Sequence, residues 1–197
     1  MSESPTVHTA ALMSYVAQHA PAEDSFLTQL RAASKAAGFP SISVAAEQAQ
    51  FMQLLLKTAR AREVVEVGTL GGYSAISMAR GLLEGGRVRT IEIDPVRATF
   101  AREWAARSDV ANRVEVLEGP GATVLPTFAA GSADAAFLDA DKESYPLYLE
   151  ECRRIVRPGG LILVDNAFAF GHLLDPDEDD PSVLAIRAFN GQMKAAR

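Results

Sequence analysis

Five short apolar runs, EVVEVG, RVRTIEID, RVEVLEG, ADAAFLDA and GGLILVDN, alternate along the chain with stretches of helical spacing. No other feature constrains the fold as strongly. Runs of this length, closed by glycines or charges and each followed by a helical crossover, read as strands of a parallel sheet. Between them, GYSAISMARGLLEGG is a helix stopped by glycines, and PVRATFAREWAARSDV is a helix with Pro95 in its first turn. YPLYLEECRRIV is a third helix, and GATVLPTFAAG a short helix or turn region. The pattern predicts an α/β fold with a doubly wound, mostly parallel sheet, whose ligands sit beyond the carboxyl ends of the strands. Helical spacing also dominates the first part of the chain. DSFLTQLRAASKAAG closes at Gly38, and AAEQAQFMQLLLKTAR presents Phe51, Leu54, Leu55 and Thr58 at i, i+3, i+4, i+7. Both are expected to be helices covering the sheet. There is no short-period repeat and no low-complexity linker, so residues 1–197 read as one domain.

Charge and composition exclude some partners. With 25 acidic against 19 basic residues the net charge is −6, and no basic patch is interleaved with aromatics, so nucleic acid is not an expected partner. The first residues lack a basic stretch leading into an apolar one, and no apolar run approaches membrane-spanning length. The expectation is a soluble, cytoplasmic protein that does not use a membrane. The single cysteine, Cys152, rules out an internal disulfide and reads as a buried structural thiol. His8, His19 and His172 are scattered and read as surface or packing residues. The acidic run DPDEDDP lacks the central glycine and terminal glutamate of a calcium loop, and is expected to be solvated.

Chemistry is expected at the strand ends. In EVGTLGGYS, Gly68, Gly71 and Gly72 permit a tight turn, and Ser74 offers a hydroxyl at the start of a helix. The spacing fits neither the dinucleotide fingerprint nor the phosphate loop. Glu66, inside the strand, needs a donor, which a cationic ligand amine would supply. Glu92 lies about twenty residues beyond the glycines, the separation at which a carboxylate accepts from a ribose diol, whereas Asp94 reads as a helix cap before Pro95. A glycine turn, an acid for an ammonium group and an acid for a ribose together describe an adenosyl amino acid better than a dinucleotide. At the next strand end, AAFLDADKESY sets Asp139, Asp141 and Lys142 within four positions.

VVEVGTLGGYSAISMA, TIEID, LEGPGATVLP, AFLDADKESY and RPGGLILVDNAF resemble the successive motifs of metal-dependent class I S-adenosylmethionine O-methyltransferases of the catechol and caffeoyl-coenzyme A type. The likeness runs from about Ile42 to Asn190. It implies a Rossmann-like sheet with S-adenosylmethionine as methyl donor, and cofactor contacts at Val44, Glu66, Gly68, Thr69, Ser74, Glu92, Gly121 and Asp141. It also implies a metal on Asp139, Asp165 and Asn166. The chemistry of the residues agrees: two carboxylates and an amide oxygen at neighbouring strand ends are hard ligands suited to Mg²⁺ or another divalent cation. A vicinal-dihydroxy phenolic small molecule held there would lose a proton to Lys142, the expected catalytic base, and would attack the methyl group in line. A homodimer is the expected assembly. Two departures stand out. Ala169 occupies a position where the family often carries a tryptophan of the substrate wall. The chain also stops at GQMKAAR, where the family continues through two antiparallel strands. Phe168 and Phe170 are expected either in the core or along the substrate. Two rival readings are a protein that binds the adenosyl cofactor without catalysis and a nicotinamide-dependent oxidoreductase.

Overall fold

In the computed structural model, which describes residues 9–195, the strand EVVEV (β1, Glu63–Val67) occupies the middle of the sheet. Its interior is apolar apart from Glu66, and it is buried on both faces, as a central parallel strand must be. The others are β2 (Arg87–Glu92), β3 (Val114–Glu118), β4 (Ala133–Leu138) and β5 (Val156–Val164). They lie in the order β3-β2-β1-β4-β5, and every pair is parallel. The helices are α1 (Ala10–His19), α2 (Ser25–Ala36), α3 (Ala46–Thr58), α4 (Tyr73–Gly81), α5 (Pro95–Arg107), the four-residue α6 (Gly121–Val124), α7 (Tyr145–Ile155) and α8 (Pro181–Ala195).

The twofold period of the strands divides the core. Val64, Val88, Ala135 and Phe137 face a cluster built with α2, α3 and α4 and with Trp104 of α5. Val65, Val67, Ile91, Ala136 and Leu138 face α7 and Phe189 of α8. The chain order reverses at β1, with β2 on one side and β4 on the other, and this topological switch point opens the crevice that holds the site.

Several boundaries differ from the sequence reading. On α3 the buried residues are Ala49, Met52 and Leu56, whereas Phe51 and Leu54 are about three-fifths exposed, so the expected stripe is rotated off the core. The reason lies in α4: a Cβ on Gly81 would come within 2.9 Å of the Gln53 backbone, so the helices meet closely there and turn the 49/52/56 face inward. Helix α1 has no buried residue. β5 begins three residues before the glycine pair, at Val156. It carries Pro158 on the sheet edge and a register shift opposite Ala133/Ala135, where a missing ladder N–H is tolerated. Among the described residues no strand follows β5. His8 lies outside the described residues. His19 stacks on Tyr15 and pairs with its carbonyl. Cys152 is buried in α7, where burial pushes its thiol up to about 12, as suits a structural residue.

Candidate active site

A cavity of about 580 Å³ opens beyond the carboxyl ends of β1, β2, β4 and β5. Its first wall is the turn after β1. Gly68 has φ +99°, and a Cβ there would fall 1.9 Å from the Asp139 carbonyl oxygen. Only glycine lets the ends of β1 and β4 touch. Gly72 (φ +87°) caps α4 in the left-handed region, so Tyr73 and Ser74 start the helix at the cavity. The Glu92 carboxylate accepts the Leu70 N–H (2.7 Å) and the Asp94 N–H (3.1 Å), holding the glycine turn against the end of β2. The Thr69 and Thr90 hydroxyls share a hydrogen bond of 2.5 Å just behind. Asp94 caps α5 through the N–H groups of Val96 and Arg97, as the sequence indicates.

Of the expected cofactor contacts, Val44, Gly68, Thr69, Ser74, Glu92 and Asp141 line this cavity. Gly121 and Glu66 do not. A Cβ on Gly121 would stand 2.9 Å from both the Tyr148 ring and the Val67 side chain, so this glycine sits behind the wall and sets where Tyr148 can lie. Glu66 is fully buried on β1, and neither carboxylate oxygen has a hydrogen-bond partner. Burial raises its pKa to about 8, repulsion from Asp139 and Glu92 adds to the shift, and the nearby Ser74 and Thr90 hydroxyls oppose it. A buried carboxyl without a donor, one layer behind Ser74, fits a cationic ligand in the cavity better than a dry core.

The opposite wall carries the charged cluster. The backbone N–H of Asp165 bonds to the Leu138 carbonyl (3.0 Å), continuing the β4–β5 ladder by one residue and bringing Asp139, Asp165 and Asn166 to the same end of the cavity. Asn166 turns the chain there with φ +59°, a conformation its side chain tolerates. Lys142 Nζ donates to Asp139 Oδ1 (3.1 Å) and to the Tyr145 hydroxyl (2.7 Å). Tyr145 in turn faces the carbonyls of Leu138 and Asp165, both at 3.3 Å. Tyr148 donates to Asp141 Oδ1 (2.8 Å). Burial raises the pKa of Asp139 and Asp165 raises it further, against the pull of Lys142. Burial and the same two carboxylates hold the Tyr145 phenol protonated. Among the described residues no protein hydrogen bond occupies the Asp165 carboxylate or the Asn166 amide. Two repelling carboxylates beside an uncommitted amide oxygen fit a hard divalent cation, which would relieve the repulsion.

Tyr145, Tyr148 and Arg31 are parts of this region that the sequence reading gave no role. For the two tyrosines a signal existed: Lys142, Tyr145 and Tyr148 recur every third residue and therefore share one face. Two further expectations need correction. Phe168 is 77% exposed and is neither core nor cavity wall, because the turn after Asn166 points it away; the Phe170 side chain lies outside the described residues. Ala169 is buried against Val183 and Ile186 of α8, away from the cavity. In the solvated loop, His172 does have ligand-like neighbours. Its Nδ1 lies 3.3 Å from Glu178, and with Asp175 the three ligand atoms lie within 4.8 Å of one another. The helical turn Ala169–Leu174 brings them together, which linear spacing did not suggest.

Residues 17–197 match the model of a family described as O-methyltransferase. A catechol O-methyltransferase of Mycobacterium tuberculosis is 44% identical over 165 residues, 84% of this chain and 75% of that protein. A catechol O-methyltransferase of Niastella koreensis is 38% identical over 176 residues, 88% of this chain and 80% of the other. Among solved structures, an O-methyltransferase from Bacillus cereus in complex with S-adenosylhomocysteine superposes with a TM-score of 0.86 at 37% identity. That comparison covers 94% of this chain and 86% of the bacterial one.

Proposed function

The chain belongs to the O-methyltransferase family, and from that premise we propose that it transfers the methyl group of S-adenosylmethionine to one hydroxyl of a catechol-like small molecule held with a divalent cation, Mg²⁺ or another. The observation that carries the reading is the two-ended cavity. One end has a glycine turn braced by Glu92. The other has three hard oxygen donors beside a lysine amine.

At the first end, Glu92 keeps lone pairs for a ribose diol after accepting two backbone N–H groups, and Ser74 at the start of α4 offers its hydroxyl and helix-terminal N–H groups to a carboxylate. The buried Glu66 supplies negative charge behind them for an ammonium group once it ionises. S-adenosylmethionine bound there provides a methyl group on a positively charged sulfur. At the second end Asp139, Asp165 and Asn166 would hold the cation, whose charge would make a nearby substrate hydroxyl more acidic. Lys142, anchored by Asp139 and Tyr145, would accept the proton of the substrate hydroxyl as the neutral amine, after passing its own proton to solvent. Tyr145 stays protonated and keeps the amine aimed. With both ends fixed on one rigid sheet, the chain's contribution is orientation, and no covalent intermediate on the protein is needed.

Asp165→Ala tests the division of labour. The variant should bind S-adenosylhomocysteine as wild type does, within about twofold, and lose metal-dependent methyl transfer by about 100-fold or more. Equal loss of cofactor affinity would contradict two separate ends. Full turnover in excess chelator would remove the cation from the reaction.

A further inference from the structure

The cavity has a third wall whose anchoring is not explained by the reacting groups. Residues 41–45 cross between α2 and α3 without regular structure, and Ser41, Ile42, Ser43 and Val44 all line the cavity. Ile42 is two-thirds exposed, so this strip has a solvent side and a ligand side. Among the described residues one hydrogen bond ties 41–44 to another element: Arg31 Nη2 of α2 donates to the Val44 carbonyl at 2.5 Å. The Val44 side chain, packed in the core, is the strip's other anchor.

Arg31 makes two more contacts. Its Nε donates to Glu23 Oε1 (2.8 Å), and its guanidinium lies over the Tyr73 ring, 3.9 Å from the centroid. Tyr73 is the first residue of α4, directly after the glycine turn, and its hydroxyl donates to the same Glu23 oxygen at 2.5 Å. One planar cation therefore bridges the strip, the start of α4 and the segment before α2. Lysine cannot reproduce this, because a guanidinium donates in several directions while stacking flat on a ring. Burial works against the Glu23 carboxylate, yet bonds from Arg31 and Tyr73 hold its pKa below the ordinary glutamate value, so the clamp is ionised at neutral pH.

We infer that Arg31 is a positioning residue for the methyl donor: it fixes the 41–45 strip against the start of α4 and so sets how tightly the cavity holds the adenosyl cofactor, without touching the reacting atoms. The inference rests on reading this cavity as the cofactor site. Loss of the clamp releases one wall of the donor end and leaves the acceptor end, built on β4 and β5, intact. Donor affinity should therefore fall while chemistry at saturating donor is kept.

The test is calorimetry of S-adenosylhomocysteine on the full chain, with steady-state kinetics in both substrates. Arg31→Ala should raise the Kd and the KM for the donor by about tenfold or more, as expected for loss of a charge-assisted bond and a stacked cation. It should leave kcat at saturating donor and the KM for the acceptor within about twofold of wild type. Arg31→Lys, whose ammonium lacks the planar fork that stacks on a ring while donating in several directions, should recover only part of the affinity. Tyr73→Phe keeps the stacking surface, loses only the Glu23 bond, and should shift the Kd by about two- to fivefold. If Arg31→Ala does not fold, the partial loss in Arg31→Lys and Tyr73→Phe carries the test. A folded Arg31→Ala or Arg31→Lys with the wild-type Kd overturns the inference, and so does a fall in kcat with donor KM unchanged. Glu92→Ala separates the two levels: if it weakens binding while the Arg31 variants do not, only the clamp is refuted. If wild type itself fails to bind, the cofactor reading falls and the clamp with it.

Discussion

Replacing Glu66 by glutamine should change how stability depends on pH. In the folded chain this carboxyl is fully buried without a hydrogen-bond partner, and its pKa rises from the ordinary 4.5 to about 8, chiefly by burial. Between those values the folded protein holds a proton that the unfolded chain has released. Stability therefore declines as pH rises. The contribution is fully present below about 4.5 and lost as pH climbs through about 8. A gap of about 3.5 pH units at about 1.4 kcal/mol each sets a ceiling of roughly 5 kcal/mol, and relaxation around the ionised group lowers the realised value to roughly 2–4 kcal/mol. Glutamine has nearly the same shape and never ionises. Glu66→Gln should match wild type near about pH 5 and exceed it by roughly 2–4 kcal/mol near about pH 9. Urea unfolding of both ligand-free proteins across that range gives the difference directly, with the other titrating groups common to both. Two parallel curves would refute the buried, unpartnered state of Glu66.

Three other substitutions probe the walls. Glu92→Ala removes the acceptor of two turn N–H groups and of the proposed diol, so calorimetry should show weaker binding of S-adenosylhomocysteine by up to about 1.5–3 kcal/mol per lost bond, with a lower unfolding temperature. An unchanged Kd would leave Glu92 a turn brace only. Lys142→Ala should slow turnover by about 10²–10⁴, least for catechols whose hydroxyl is already acidic, and equal losses across an acidity series would remove its role as base. Gly68→Ala drives a Cβ into the Asp139 carbonyl from a positive-φ backbone, and should cost about 3 kcal/mol or more in urea unfolding; wild-type stability would contradict the contact between β1 and β4.

Local signals in the sequence marked the sheet, its parallel sense and the charged residues that line the cavity. Glycines, Pro95 and the caps act over a few residues, and Asp139, Lys142, Asp165 and Asn166 sit at strand ends where pattern alone locates them. What was not legible depends on tertiary contact. The inward face of α3 was misassigned because Gly81 lets Gln53 approach, a fact about a residue 28 positions away. Gly121 has no side chain because a Cβ there would meet the Tyr148 ring and Val67, a constraint that linear sequence does not display. Phe168 follows Asp165 and Asn166 in sequence but is turned to solvent by the left-handed Asn166. Arg31 has no motif around it, and its role emerges only where α2, the 41–45 strip and α4 meet.

The central claim is methyl transfer from one end of the cavity to a hydroxyl held at the other. The most direct measurement follows transfer of a labelled methyl group from S-adenosylmethionine to a panel of catechols and matched monophenols, with Mg²⁺ and with excess chelator. The account predicts monomethylated catechols, formed with Mg²⁺ and abolished by chelator, and little product from monophenols. Equal methylation of both substrate sets, unaffected by chelator, would contradict it.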